Sequence, residues 1–371
     1  MNNFYKRKAD FFVLAFIPYK LTADGIDSPH YDTQEYRNEL NDWFQGLGLK
    51  WEWVEITLEN YREKVQYAKE LQNRTKLLVF NFCDGSEVDS FPGISIVVEL
   101  EKHNIPFTGA SSYFYEVTTP KIMTKMILLE NNIPTAPFVK IIHPQEDIKK
   151  AERFVGYPFI LKPDISAANA GIYLKSVVYD YDNGVNVAEE LLKEQESRKG
   201  IQANGIFAET FVIGKEYTVL VVGNYDRPDD LKIYKPIQRV FNECLPEKEK
   251  FLTFHRYWDH YTDEANIQLE PFAKDINEYY HYEPADSSIE EELVQLTREA
   301  FCALKGTGYA RVDFRYDTTS GKLYILEVNS NCGLSQELSS SVGNILHLSD
   351  ESFSEFLENI MNIAFMKVAQ L

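Results

Sequence analysis

Two segments near residue 320 carry acidic, amide and basic side chains at a spacing suited to metal and phosphate chemistry. Residues 309–315 read Tyr-Ala-Arg-Val-Asp-Phe-Arg, and residues 322–329 read Lys-Leu-Tyr-Ile-Leu-Glu-Val-Asn. Side chains alternate between the faces of a strand, so Arg311 and Asp313 share one face. By the same rule, Glu327 and Asn329 share a face opposite Leu326.

The polar turn between these segments, which contains Gly321, predicts a hairpin. Its register could bring Asp313, Glu327 and Asn329 together. Two carboxylates and an amide oxygen are hard ligands that suit Mg²⁺, or Mn²⁺, bridging the phosphates of ATP. Arg311 beside them would stabilise negative charge as it develops.

The alternative for this hairpin is a ladder of charged side chains on a solvated face of a sheet. Two observations favour the functional interpretation. The opposite faces of both strands are strongly apolar, and residues 330–335 form a small-residue turn whose backbone N–H groups could bind an oxyanion.

A second signal is Lys162, which ends the apolar run of residues 159–162 and precedes a small-residue loop at 164–171. A lysine at this place can reach a phosphate as a point charge, and the loop could close over phosphates. The alternative is a lysine extending from a strand end into solvent, which is common.

A third signal lies at residues 206–218, where Glu209 ends one apolar strand and Glu216 begins the next. Glu209 could accept a hydrogen bond from the adenine amino group, with backbone groups around Phe211 and Val212 completing recognition. Glu216 could hold the ribose hydroxyls. The alternative is two exposed glutamates at strand ends.

The elements that must position these residues begin with an alternation of strands and helices, which predicts a parallel sheet covered on both sides. The predicted elements are strands at 11–17 and 76–82, helices at 33–47 and 93–103, and a short strand at 105–109.

The later elements begin with a helix at 121–131, for which Thr119 is the expected cap and Pro120 the expected first-turn residue. The chain becomes rich in strands from Ala208. Further predictions are a strand at 158–162, a helix at 287–305, the hairpin described above, and a final amphipathic helix from Glu351.

Three domains are predicted, an N-terminal α/β domain at 1–117, a central domain at 118–207 and a C-terminal domain at 208–371, with the last two facing each other across a cleft. The chain has 371 residues, which is enough for two or three compact units.

Composition and charge exclude several other classes of protein. The formal charge of −19 argues against wrapping a nucleic-acid backbone. No apolar stretch is long enough to cross a membrane, and the N-terminus does not resemble a signal peptide, so a cytoplasmic location is expected. The four widely spaced cysteines form no CxxC pair, which argues against a disulfide framework or a zinc site.

Together these segments resemble the ATP-grasp superfamily and, within it, the D-alanine–D-alanine ligases. The resemblance extends from about Leu77 to the C-terminus and includes residues 105–109 and 120–125, which look like the family's passage into its central domain. It implies an α/β (α+β) fold of three domains, with an N-terminal parallel α/β domain and two α+β domains enclosing the ATP site. A homodimer is also implied.

The resemblance assigns roles to individual positions. Lys121 and Lys162 match the two phosphate-binding lysines, and Arg311 matches the arginine that stabilises the tetrahedral intermediate. The remaining matches are Glu209, Phe211, Val212 and Glu216 for adenine and ribose, Asp313, Glu327 and Asn329 for magnesium, Gly333 for the oxyanion, and Arg256 and Tyr257 for the loop over the active site.

Three departures from the family's pattern concern the substrates. The loop after the first strand lacks the family's acidic residue for the substrate ammonium, for which Asp24 and Asp27 are weak substitutes. Ala168 and Asn169 replace a serine pair. Leu338 falls near the family's serine for the second substrate's carboxylate, with Ser339 one position away.

The predicted function is an ATP-dependent carboxylate–amine ligase that forms an amide or peptide bond through an acylphosphate. The expected substrates are amino acids or a peptide-like small molecule, and the departures predict a product other than cell-wall D-alanyl-D-alanine. The alternatives are a true D-alanine–D-alanine ligase, an ATP-dependent phosphotransferase and a non-catalytic nucleotide-binding protein.

Overall fold

The computed structural model describes residues 11–29, 31–166, 169–197, 205–243, 245–257 and 279–368. In this part of the chain no helix is long and apolar enough to cross a membrane.

Residues 11–118 alternate between strands and helices. The elements are β1 (Phe11–Pro18), β2 (Lys20–Thr22), β3 (Gly25–Asp27), α1 (Gln34–Gly46), β4 (Lys50–Ile56), α2 (Tyr61–Gln72), β5 (Lys76–Asn81), α3 (Ile94–Lys102) and α4 (Ser112–Thr118). Strands β4, β1 and β5 form a parallel sheet in that order, and β2 and β3 form a small hairpin. The predicted parallel sheet is therefore confirmed.

Local sequence explains these elements well. Residues 13–17 of β1 are wholly buried, as their continuous apolar run predicts for a central parallel strand. Thr33 caps α1, because its hydroxyl oxygen accepts a hydrogen bond from the Tyr36 N–H. The predicted strand at 105–109 is wrong in extent, since it makes only a single parallel bridge, between Phe107 and Val79.

The middle of the chain forms a four-stranded antiparallel sheet in the order β6–β9–β7–β8, against which two helices pack. The elements are α5 (Lys121–Glu130), β6 (Phe138–Ile141), α6 (Pro144–Phe154), β7 (Phe159–Pro163), β8 (Val177–Val178), α7 (Tyr181–Ser197) and β9 (Ile206–Thr210). The expected capping of α5 by Thr119 is wrong. The Thr119 hydroxyl donates back to the Tyr115 carbonyl at 2.8 Å, because Thr119 ends α4.

The last part forms a larger antiparallel sheet in the order β13–β12–β10–β14–β15, with β11 beside β10. The elements are β10 (Gly214–Asn224), β11 (Lys232–Ile233), β12 (Ile237–Phe241), α8 (Phe254–Tyr257), β13 (Tyr280–Pro284), α9 (Glu290–Ala303), β14 (Thr307–Asp317), β15 (Lys322–Ser330), α10 (Ser341–Leu348) and α11 (Phe353–Val368). The predicted hairpin corresponds to β14 and β15.

The hydrophobic cores connect the two ends of the chain. Leu14 and Val79 of the parallel sheet belong to the same buried cluster as Val219 and Val312 of the large antiparallel sheet. The middle sheet has its own core, which includes Ile148 and lies wholly within residues 141–208. The three domain boundaries stay predictions, but the separate middle core is consistent with them.

One close contact fixes the N-terminal part against the strands of the antiparallel sheet. Gly109 has a φ of +91°, and a Cβ at this position would lie 2.1 Å from Oδ1 of Asn331. That oxygen accepts a hydrogen bond from the Ala110 N–H at 2.7 Å. A glycine is therefore required both by the backbone conformation and by the approach of Asn331.

Candidate active site

Strands β14 and β15 bring together the four polar residues that the sequence singled out. Asp313 lies opposite Glu327, and Arg311 lies opposite Asn329. The register shifts after Asp313, where a bulge leaves Leu326 as an extra residue on β15. The simple alternation predicted for β15 therefore fails at Leu326, which lies beside Glu327 in the bulge.

Asp313 is the most heavily bonded member of this group. Arg311 donates to its two carboxylate oxygens at 3.0 Å and 2.9 Å. Thr218, on the neighbouring strand β10, donates at 2.8 Å, and the Asn329 amide donates at 2.8 Å. The charge of Asp313 is thus balanced by Arg311, and its position is fixed by three elements of the sheet.

Glu327 lies next to this group and faces the first of the two predicted phosphate-binding lysines. The Asn329 amide donates to it at 3.3 Å, and the Lys121 ammonium lies 3.7 Å away. Burial raises the pKa of Glu327, but the positive charges of Lys121, Arg311 and Lys162 more than offset burial and hold this pKa below its ordinary value. Glu327 is therefore ionised at neutral pH.

The second predicted lysine is held by a buried carboxylate. Lys162 donates to Glu209 at 2.6 Å, and Lys125 contacts the other oxygen of Glu209. Both Glu209 and Lys125 have side chains that are only 1% exposed. Burial raises the pKa of Glu209, whereas the two lysines lower it to below its ordinary value.

Lys125 was not among the sequence-predicted site residues. It follows Lys121 by four residues, so both lie on one face of α5, which is a signal the sequence contained. Its ammonium also donates to the Thr135 hydroxyl at 2.8 Å. Burial lowers the pKa of Lys125, and the charge of Glu209 opposes that shift.

Glu216 is paired with two arginines that sequence reasoning also missed. Arg315 lies 2.8 Å from one oxygen of Glu216. Arg239, the cross-strand neighbour of Glu216 on β12, contacts the other oxygen. Arg315 also donates to the carbonyls of Gly214 and Lys250. This cluster places positive charge beside the predicted ribose position.

Phe211 and Val212, the predicted adenine neighbours, are both buried. Phe211 packs edge-on against Phe251 and belongs to a small apolar cluster with Ile160 and Ile172. The Phe211 N–H donates to the Pro158 carbonyl, so this group already has a partner within the chain. The cluster provides an apolar wall of the kind that a purine base packs against.

The turn after β15 lines a small pocket of about 70 Å³. Gly333 is exposed there, and a Cβ at this position would meet no atom within 4 Å. Ser341, the first residue of α10, lies 3.4 Å from the Arg311 guanidinium. Leu338 is 56% exposed, so the position expected for the second substrate's serine projects into solvent.

Arg256 and Tyr257 were predicted to cover the active site. Arg256 is buried, and its guanidinium donates to the carbonyls of Glu249 and Phe251, which ties it into its own loop. The role of Arg256 toward a substrate stays a prediction. The side chain of Tyr257, the residues 258–278 that follow it, and Ala168 lie outside the described residues.

The chemistry of the donor set fits a magnesium ion. Within the part of the chain that the structure describes, no three His, Cys, Asp or Glu side chains form a metal-binding group. The donor set at this site consists instead of two carboxylates and one amide. Mg²⁺ is bound in proteins by one or two carboxylates together with substrate phosphates. Asp313 and Glu327 would supply the carboxylates, and Asn329 would supply its amide oxygen after rotation of the amide.

Comparison with known proteins agrees with this site. The family model described as D-ala D-ala ligase C-terminus matches residues 127–362, which is more than half of the chain. A D-alanine–D-alanine ligase from Buchnera aphidicola is 27% identical over 63% of this chain, and one from Thermoanaerobacter sp. is 28% identical over 71%. Each alignment spans 65% of the relative's own length.

The fold agrees with solved structures over nearly the whole chain. A D-alanine–D-alanine ligase from Bacillus anthracis, complexed with ATP, superposes with a TM-score of 0.66 and 17% identity, covering 98% of this chain and 99% of that one. This agreement confirms the predicted three-dimensional class, an α/β (α+β) ATP-grasp architecture. The chain therefore belongs to the D-alanine–D-alanine ligase family of ATP-grasp proteins.

Proposed function

We propose that this protein is an ATP-dependent ligase that joins the carboxylate of one amino acid to the amine of another. The observation that carries the proposal is the grouping of Arg311, Asp313, Glu327 and Asn329 on two paired strands, with Lys121 only 3.7 Å from Glu327. A purely structural ladder of charges would not need a buried lysine from α5 to face the partly exposed Glu327 of β15.

The proposed reaction has two steps. A carboxylate oxygen of the first amino acid attacks the γ-phosphorus of ATP, which forms an acylphosphate and releases ADP. The amine of the second amino acid then attacks the acyl carbon, the C–O bond to phosphate breaks, and phosphate leaves. Arg311 and the backbone N–H groups around Gly333 would stabilise the oxyanion that forms in the second step.

Magnesium bound by Asp313, Glu327 and Asn329 would neutralise charge on the ATP phosphates. Lys121 and Lys162 would hold phosphate oxygens as point charges. In this conformation both oxygens of Glu209 contact lysines, so its first role is to position Lys162. Catalysis would then come from positioning and electrostatics.

D-Alanine is the substrate that the comparisons favour for both positions, because the named curated relatives are D-alanine–D-alanine ligases. The expectation of a different product, which depended on three departures from the family's pattern, has no support among them. Ser341, 3.4 Å from Arg311, offers a hydroxyl near the site and would replace the serine missing at position 338.

The test is phosphate release from ATP with magnesium, screened against D- and L-amino acids singly and in pairs, with mass detection of products. Release that requires D-alanine, together with a dipeptide product, supports the proposal. A phosphorylated product that persists without an amine would support the phosphotransferase alternative. ATP binding without release for any pair would support a non-catalytic role.

A further inference from the structure

The small pocket beside the proposed catalytic group has a composition that the ATP chemistry does not explain. Its lining comes from three separate parts of the chain, near residues 31–36, 81–84 and 309–334. It contains one carboxylate, Asp84, and the aromatic rings of Tyr31, Tyr36, Phe82 and Tyr309. A single carboxylate among aromatic rings favours an organic cation over a metal ion.

Asp84 is held in place but has no cationic partner. The Tyr31 hydroxyl donates to its Oδ2 at 3.0 Å. No lysine, arginine or histidine in the described ranges forms an ion pair with it. Asp84 is exposed to solvent, and desolvation by the surrounding protein is the main cause that raises the pKa of its carboxyl group to about 6. A carboxylate that is accessible and unpaired is available to a ligand.

Two amides of the same pocket have hydrogen-bond donors without partners. The Asn81 oxygen accepts from the Cys83 N–H at 3.1 Å, and the Asn331 oxygen accepts from the Ala110 N–H at 2.7 Å. These bonds fix the orientation of both amides. In each case the Nδ2 group is buried and has no hydrogen-bond partner within the described structure. An acceptor oxygen of a ligand would satisfy these donors.

The pocket adjoins the proposed catalytic group directly. Tyr309 lies two residues before Arg311 on β14, so the two side chains are on one face about 7 Å apart along the strand. Cys332 lines the pocket, and the charges of both Arg311 and Asp84 influence the pKa of its thiol. A ligand held at Asp84 would therefore extend toward Arg311 and Gly333.

We propose that Asp84 binds the ammonium group of the amino acid whose carboxylate is activated. The unpaired amide N–H groups of Asn81 and Asn331 would donate to the oxygens of that amino acid. This assignment rests on the ligase function proposed above. The residues considered from sequence, Asp24 and Asp27, lie instead on the hairpin of β2 and β3, where Asp27 pairs with Lys20 at 3.9 Å.

The experiment measures calorimetric binding of D-alanine, L-alanine, glycine and propionate to the full-length protein in the presence of a non-hydrolysable ATP analogue. Propionate has the carbon skeleton of alanine without the ammonium group. The wild-type protein should bind at least one amino acid and should not bind propionate. Asp84→Asn should weaken amino-acid binding by about 10- to 100-fold, the loss typical of one charge-assisted bond, with ATP-analogue affinity unchanged.

Asp24→Asn is the matched control, because it removes the same charge from an exposed turn and should leave amino-acid binding unchanged. Tyr31→Phe is the second variant, for use if Asp84→Asn fails to fold, and should weaken amino-acid binding by about 3- to 10-fold through the lost bond to Asp84. Unchanged amino-acid affinity in the folded Asp84 variant, or in Tyr31→Phe if that variant alone folds, would overturn the assignment.

Phosphate release, measured in parallel, separates this assignment from the proposed function. Amino-acid binding that depends on Asp84 in a protein that never releases phosphate would support the pocket and refute the ligase. Release with an amino acid whose binding ignores Asp84 would support the ligase and refute the pocket. Absence of amino-acid binding to the wild-type protein would overturn the pocket assignment outright.

Discussion

The contact of Glu209 with two lysines allows a quantitative prediction for Glu209→Gln. This change removes the partner of Lys125, whose side chain is 1% exposed, whereas Lys162 is 13% exposed and can turn toward solvent. Breaking a buried pair by removing one partner destabilises a protein by about 3–5 kcal/mol. The destabilisation has an upper limit, because Lys125 can lose its proton instead of staying charged without a partner. At pH 7, which lies about 3.4 pH units below the unfolded lysine pKa, deprotonation requires about 1.36 × 3.4, or roughly 4.6 kcal/mol.

The stability of Glu209→Gln should depend on pH in one direction. An unpaired, buried Lys125 has a folded-state pKa below that of the unfolded chain, so the variant gains stability as pH rises toward the unfolded pKa of about 10.4. If Lys125 loses its proton in the folded variant, the destabilisation at pH 9 is smaller than at pH 7 by about 1.36 × 2, or roughly 2.7 kcal/mol.

The assay is denaturant unfolding of wild type and Glu209→Gln at pH 7 and pH 9. Glu190→Gln is the matched control, because Glu190 pairs with Lys175 on the surface, where both side chains are more than half exposed, and should change the free energy of unfolding by less than about 1 kcal/mol. Adding Lys125→Met to Glu209→Gln should recover most of the lost stability. A loss below about 1 kcal/mol at pH 7, or no recovery in the double variant, would refute the reasoning.

The remaining predictions concern activity. Glu327→Ala removes a proposed magnesium ligand and should lower kcat by about 100-fold or more with the circular dichroism spectrum unchanged, and wild-type turnover with unaltered magnesium dependence would exclude that role. Lys162→Ala should raise the KM for ATP by about tenfold while Lys125 keeps Glu209 paired, and steady-state kinetics with an unchanged KM would contradict phosphate binding. Since the pKa of Asp84 is raised to about 6, protonation below pH 6 should raise the KM for the first amino acid. Burial raises the pKa of the neighbouring Tyr31 hydroxyl well above its ordinary value, so Tyr31 keeps its proton in that range. A KM profile that is the same in wild type and Asp84→Asn would argue against titration of Asp84 as the cause.

The parts of the fold that could be predicted are those with a local signal. The buried run at 13–17 and the alternating pattern of residues 309–315 identify strands without any knowledge of their neighbours. The pairing of Asp313 with Glu327 also follows from a local feature, since a short polar turn joins their strands. Local capping was less reliable, because Thr119 follows α4 and precedes α5, and the competing bond to Tyr115 determines its role.

The parts that could not be predicted depend on contacts between distant segments. Lys125 has a carboxylate partner because β9 brings Glu209 next to α5. The pocket around Asp84 is closed by the turn after β15, about 250 residues later in the chain. The bulge at Leu326 shifts the pairing of β14 with β15 by one residue, and no residue in that segment marks it in advance.

The most direct test of the central claim is the fate of carboxylate oxygen during turnover. D-Alanine labelled with ¹⁸O in its carboxylate is incubated with the protein, ATP and Mg²⁺, and both phosphate and the dipeptide are examined by mass spectrometry. An acylphosphate ligase transfers one labelled oxygen to each phosphate released and forms D-alanyl-D-alanine in equal amount. Phosphate without label, or label appearing in AMP, would contradict the proposed reaction.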